Sequence, residues 1–156
     1  MTTASLSELR RGINNIPLND LPELCIRLAR FKKENKELLS YLLFEADDEP
    51  EYLRKVKEEI DGQFKELSRT KPYLTKKGVR KILAFANQRI RYSGQKRTEV
   101  ELLIHFCRKF KKEVPFRHNI TIKNIYTRQI LRIKKTIGTL HEDLQFDYSE
   151  EIMTLE

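Results

Sequence analysis

Histidine and cysteine are the side chains that most often catalyse reactions or bind metals, and the chain has three histidines and two cysteines. His105, His118 and His141 are spaced in no recognised metal-binding pattern, and His105 and Cys107 lie two positions apart, on nearly opposite sides of a helix. Zinc-protease, Cys-x-x-Cys, phosphate-loop and Gly-x-Ser-x-Gly motifs are absent. The sequence therefore predicts no catalytic residue, no metal and no cofactor.

An enzyme without a recognisable motif stays open as an alternative, because scattered residues can build an active site. Such an enzyme would need a concave pocket in which polar groups converge, with His105 or His118 among them. We therefore expect a protein that binds rather than one that catalyses.

Positive charge is the strongest chemical signal in the sequence. The segment from Arg69 to Lys135, here called the basic block, contains twenty Lys and Arg residues and three acids, a formal charge of +17 against +8 for the whole chain. Charge divided so unevenly indicates an anionic partner, or two oppositely charged faces that meet inside one fold.

Within the basic block, the cations at predicted solvent-facing or bordering positions of helices are candidates for binding an anion. They are Lys77, Arg80, Lys81, Arg89, Arg91, Lys96, Arg97, Arg108, Lys111, Lys112, Arg128 and Arg132. Tyr73, Tyr92 and Tyr126 could stack on bases if the anion is a nucleic acid.

Three interpretations of the basic block remain open. The first is an interaction module or adaptor that presents this surface to an acidic protein partner. The second is a sequence-nonspecific nucleic-acid-binding protein, since no sequence-reading motif accompanies the charge. The third is an ordinary solvated surface, because basic composition constrains partners only by sign. The first two differ in one structural feature. Cations that converge on a groove favour the nucleic acid, and cations that scatter around the helices favour the protein partner.

Composition favours helix, with five Gly, five Pro, no Trp and abundant Leu, Lys, Glu and Arg. We predict one all-α domain over residues 1–156, with about six antiparallel helices in a bundle or short α-solenoid. Ser5 and Glu8 form a capping box for a short helix over 5–14. Further helix starts are predicted at four residues: Asp20, Asp48, Thr75 and Thr98, the last with Glu101 in a second capping box.

Two segments are ambiguous. Residues 20–46 keep a helical phase that a polar run interrupts, so they form one helix or two, with Asn35 as a possible cap of the second. The nearly uninterrupted apolar run Leu38–Phe44 predicts the centre of the core. Residues 119–126 begin with strand-like alternation, but apolar residues at helical spacing from Ile122 to Ile137 favour a helix.

The acidic C-terminal tail, from about residue 142, carries a charge opposite to that of the basic block. Enough apolar residues accompany its acids for it to dock, and it could occupy the basic surface in the free protein.

No signal-peptide pattern or membrane-length apolar run occurs, which predicts a cytoplasmic protein without membrane contact. The oligomeric state is left open.

Overall fold

Every regular element in the computed structural model, which describes residues 2–115 and 119–156, is an α-helix. The all-α prediction is confirmed, although the described residues form eight helices where about six were expected. Their bounds are α1 Leu6–Asn14, α2 Leu21–Phe31, α3 Lys33–Phe44, α4 Glu49–Lys65, α5 Pro72–Ser93, α6 Lys96–Glu113, α7 Ile120–Ile137 and α8 Glu142–Met153.

Local hydrogen bonding fixes several helix ends, and Ser5 and Asp48 act where the sequence predicted helix starts. The Ser5 hydroxyl accepts from the backbone N–H of Glu8, whose carboxylate accepts from the Ser5 N–H, so the capping box is confirmed. Asp48 and Asn119 likewise cap α4 and α7 with their side chains. Gly94 ends α5 in the left-handed region at φ 66°, as a C-terminal glycine commonly does.

The predicted helix starts at Thr75 and Thr98 are wrong. Pro72 begins α5 and Lys96 begins α6, so both threonines lie inside helices and are buried. The Thr75 hydroxyl donates to the Ser68 carbonyl at 3.0 Å, and the Thr98 hydroxyl donates to the Glu49 carboxylate. Their hydroxyls therefore bond to preceding segments of the chain instead of capping a helix.

The chain divides into two compact units, Met1–Phe44 and Glu45–Glu156. In the first unit, residues 20–46 form two helices, and Asn35 is not the cap of the second: its amide donates to the Leu28 carbonyl of α2 at 2.9 Å. The prediction that Leu38–Phe44 is the centre of the core is also wrong. Only Tyr41 of α3 is buried, and Phe44 is 81% exposed.

The second unit is organised around α6, which packs against α4, α5 and α7. Eight residues of α6 are buried, and Phe106 and Phe110 continue a row of aromatic contacts from Phe64 to Tyr126. Their ring centroids are 5.4–5.8 Å apart, within the range of favourable aromatic pairs. This row forms the core of the unit.

The acidic end of the chain docks as α8. Tyr148, Ile152 and Leu155 are buried, and the Tyr126 hydroxyl donates to the Leu155 carbonyl at 2.6 Å. Burial of three large apolar side chains holds this helix on the second unit. Across residues 2–115 and 119–156, no helix combines the length and the apolar character needed to cross a bilayer.

Candidate functional site

Two helices of the second unit carry positive charge and no acid. α5 contains six Lys and Arg residues and α7 contains five, and neither helix has an Asp or Glu. On a solvent-exposed helix, acidic residues can form ion pairs with basic residues three or four positions away. Their absence leaves the solvent-facing sides of α5 and α7 with a single sign.

Arg132 of α7 connects these two helices. Its Nη1 donates to Oδ1 of Asn87 on α5 at 2.5 Å, and its Nε donates to Oε1 of Glu99 on α6 at 2.7 Å. Because Glu99 is largely buried beneath it, the guanidinium is fixed in place by partners from two helices. Side chains of α5 and α7, which both pack against α6, therefore meet at this point of the unit.

Helical spacing places further cations next to this junction. Lys76 and Arg80 precede Asn87 by eleven and seven residues, and Arg91 follows it by four, so all three lie on the side of α5 that faces α7. Arg80 and Arg91 are exposed. Among the described residues, neither has a hydrogen-bond or ion-pair partner.

The same spacing holds on α7. Arg128 and Lys135 lie four residues before and three residues after Arg132, on the same side of the helix, and both are exposed. We call these six cations of the two helices the α5–α7 basic face: Lys76, Arg80, Arg91, Arg128, Arg132 and Lys135.

The other predicted cations of α5 lie elsewhere. Lys77 and Lys81 border α4, where they line a shallow depression of about 280 Å³ together with Glu66 and Leu67. Arg89 is half-buried, with its guanidinium carbon 4.8 Å from the centre of the Phe85 ring. This arrangement is a cation–π contact inside the unit, not an exposed charge.

The predicted cations of α6 lie near the two ends of that helix or contact α8 and the residues after it. Lys96 and Lys112 are exposed near its two ends, and Arg97 donates to Glu101 of the same helix at 3.2 Å. Arg108 donates to Glu151 of α8 at 3.1 Å, and Lys111 donates to the Thr154 carbonyl at 3.2 Å. The acidic helix thus engages part of the basic block, and Glu156 beyond it pairs with Lys134 of α7. Among the described residues, none of these acids contacts a member of the α5–α7 basic face.

Two of the three tyrosines considered as stacking partners are buried. Tyr92 and Tyr126 belong to the core of the second unit, so their rings cannot receive a base. Tyr73 is 64% exposed and lies eighteen residues, or five helical turns, before Arg91. It is therefore on the same outward side of α5 as that arginine.

A second polar site, with a volume of about 260 Å³, opens between α4, α6 and α8. Lys57 donates to Oε2 of Glu101 at 2.9 Å, and the Tyr148 hydroxyl donates to Oε1 of the same carboxylate at 3.0 Å. Burial raises the pKa of Glu101, but these hydrogen bonds and the one from Arg97 outweigh it and hold the pKa below its usual value.

His105 lies in this groove, with Nε2 at 2.6 Å from Oδ1 of Asp61, whose second oxygen contacts Lys109 at 3.1 Å. Burial lowers the pKa of His105 more than Asp61 raises it, so the folded environment favours the neutral ring. Cys107 of the same helix is fully buried, and burial raises the pKa of its thiol to about 12. His118, the other histidine considered for an active site, lies outside the described residues.

The sequence interpretation missed this groove. Arg97, Glu101, His105 and Arg108 recur at helical spacing along one side of α6, and this repeat was the available signal. Most of the groove's charged side chains pair with one another, and these pairs stabilise the contact of α4, α6 and α8. Asp147 also lines the groove and has no hydrogen-bond or ion-pair partner among the described residues.

No protein-family model, curated protein or solved structure matches the chain.

Proposed function

We propose that this protein is a non-enzymatic binding module that holds the phosphate backbone of a nucleic acid along the α5–α7 basic face, without reading its sequence. The observation that carries the proposal is the junction at Arg132, which brings together two acid-free helices. Six of the eleven cations of these helices lie along neighbouring helix sides, and this alignment is the property that favours a nucleic acid over a protein partner.

The dimensions of the face fit a phosphate backbone. Lys76 and Arg91 are separated by fifteen residues of α5, which corresponds to about 22 Å along the helix axis. One strand of a duplex places a phosphate about every 3.4 Å along its axis, so this length faces about six phosphates. Exposed Tyr73 adds an aromatic ring on which one base of a single strand can stack.

A binding titration with matched variants tests the proposal. Labelled single-stranded DNA, RNA and duplex DNA are titrated with the wild-type protein and with the triple variant Arg80→Ala, Arg91→Ala, Arg128→Ala. The control variant, Lys65→Ala, Arg108→Ala, Lys112→Ala, removes three exposed cations that lie off the face and changes the net charge equally. We expect the face variant to lose at least about tenfold in affinity and the control to lose less than about threefold.

Equal losses in the two variants would show that net charge alone drives binding and would contradict a defined face. No binding of any of the three nucleic acids at low salt would contradict the proposal altogether.

An acidic protein helix is the second candidate ligand, and α8 is the observation that favours it. This helix already engages cations of the same block through Glu151 and buries Tyr148 and Ile152. A synthetic peptide of residues 142–156, added to the intact protein, tests this candidate. Binding that the Arg80, Arg91 and Arg128 substitutions abolish, in the absence of nucleic-acid binding, would favour a protein partner.

A further inference from the structure

The first unit, Met1–Phe44, leaves most of its apolar side chains in contact with solvent. α1 and α2 contain no buried residue. Leu28 is 56% exposed, Phe31 77% and Leu42 57%. Single exposed apolar residues are ordinary on protein surfaces, but contiguous ones mark an interaction site.

Leu28 and Leu42 line a groove between α2 and α3. The groove has a volume of about 300 Å³, and we call it the hairpin groove; its lining residues are Cys25, Leu28, Ala29, Asn35, Leu38, Leu39 and Leu42. The only polar side chain in this lining, Asn35, already donates to the Leu28 carbonyl. The groove therefore offers an almost wholly apolar surface, shaped to receive apolar side chains.

Size explains why this surface needs a partner. Units of about 40 residues rarely bury enough surface to be stable without disulfides, metals or association. Five apolar side chains of the hairpin are more than half exposed: Leu28, Phe31, Leu42, Leu43 and Phe44. At on the order of 100 Å² each they amount to roughly 500 Å² per copy. A symmetric pair that covered all of them would bury about 1,000 Å², the lower limit expected of a biological interface.

The charges on the hairpin indicate which partner fits. α2 and α3 together carry four basic and three acidic residues, with Arg27 and Arg30 on α2 and Glu34 and Glu37 on α3. A surface that binds an anionic membrane carries mainly Lys and Arg on its polar side. Nearly balanced signs instead suit a self-complementary contact, in which α2 of one copy lies against α3 of the other.

We propose that a second copy of this chain occupies the hairpin groove. The two α2–α3 hairpins pack as an antiparallel four-helix bundle with two-fold symmetry, in which each copy's Leu28 and Leu42 enter the apolar surface of the other. This dimer is independent of the proposed nucleic-acid binding, which uses α5 and α7.

Sedimentation of the full chain over a range of concentrations tests the dimer. We expect the wild type to sediment at twice the chain mass at micromolar concentration. The variant Leu28→Glu, Leu42→Glu should dissociate at least about 100-fold more readily, because each charge would be buried in an apolar interface. The matched control is Leu131→Glu, at a 62% exposed position of α7, and it should remain dimeric.

A wild type that stays monomeric at the highest soluble concentration would overturn the proposal, as would a groove variant that remains a dimer. Flotation of a monomeric wild type with anionic phospholipid vesicles would identify a membrane as the occupant instead. If the groove variant loses helical circular dichroism, it is unfolded and a second measurement replaces it. Nuclear Overhauser contacts in a mixture of isotope-labelled and unlabelled wild type then show whether two copies touch at the hairpin groove. The proposal requires intermolecular contacts at the methyl groups of Leu28 and Leu42, and their absence contradicts it.

Discussion

The contact of His105 with Asp61 shows how the second unit holds a titratable pair between α4 and α6. The ring is mostly buried and faces Lys57 and Lys109 as well as the Asp61 carboxylate. Burial and the two lysines oppose protonation of His105, and Asp61 favours it. The net effect lowers the pKa of His105, so folding favours the neutral ring.

The sign of this shift predicts the pH dependence of stability. Because the unfolded chain binds the His105 proton more readily, the free energy of unfolding should fall as the pH drops below about 6.5, by at most about 1.4 kcal/mol per pH unit. The pKa of Asp61 is also lowered: burial raises it, but His105 and Lys109 outweigh burial. Asp61 therefore adds to the free energy of unfolding above the usual aspartate pKa, and this contribution is lost at more acidic pH.

His105→Gln should therefore remove most of the change in stability between about pH 7 and pH 5, as measured by urea denaturation. His141→Gln is the control, because the His141 side chain is 76% exposed and its removal should leave the change intact. A wild-type pH dependence that survives in His105→Gln would contradict the role given to this histidine.

The ends of the helices are set by local interactions that can be predicted from the sequence. The packing between helices depends on long-range contacts that cannot. Ser5, Asp48 and Gly94 act within three or four residues of their own position, so their roles were predictable. Thr98 bonds to Glu49, forty-nine residues away, and no local pattern contains that contact.

The exposed α3 illustrates the same limit. A run such as Leu38–Phe44 is typical of a helix enclosed by neighbours, but periodicity records only that a side chain is apolar. It does not record which neighbours are available. In the first unit α3 packs with α2 and leaves Leu42 and Phe44 exposed, so the core formed around α6 instead.

Two glycines provide a matched prediction about helix ends and interiors. Gly94→Ala should destabilise the protein by about 1 kcal/mol, because an alanine side chain strains the backbone at φ 66°. Gly62 lies inside α4, and an added Cβ there would meet nothing within 4 Å. Gly62→Ala should therefore stabilise the protein by about 0.5–1 kcal/mol through helix propensity. Thermal unfolding of both variants would contradict this account if the shifts had the same sign.

For the whole molecule, composition predicted an all-α fold, which is confirmed, and a basic surface that binds a partner, which stays a prediction. It could not predict which cations share a face, because Arg132 and Asn87 are forty-five residues apart and meet only through tertiary packing. Of the twelve predicted cations, Arg80, Arg91, Arg128 and Arg132 belong to the α5–α7 basic face. Arg108 pairs with Glu151 of α8, and Lys111 donates to the carbonyl of Thr154, which caps that helix.

The docking of α8 also changes what removal of the acidic end would do. Deletion of the acidic end would not simply expose the basic surface, because Tyr148, Ile152 and Leu155 are buried. Loss of residues 142–156 would remove part of the packing of the second unit along with the acids. Substitutions on α5 and α7 are therefore the cleaner way to test binding.

The salt dependence of nucleic-acid binding tests the central claim most directly. For a single strand, each phosphate neutralised contributes about 0.7 to the slope of log affinity against log salt, so loss of three contacts should reduce that slope by about 2. The account predicts this reduction for Arg80→Ala, Arg91→Ala, Arg128→Ala and an almost unchanged slope for Lys65→Ala, Arg108→Ala, Lys112→Ala. Identical slopes in the two variants, or wild-type binding that does not weaken with salt, would contradict it.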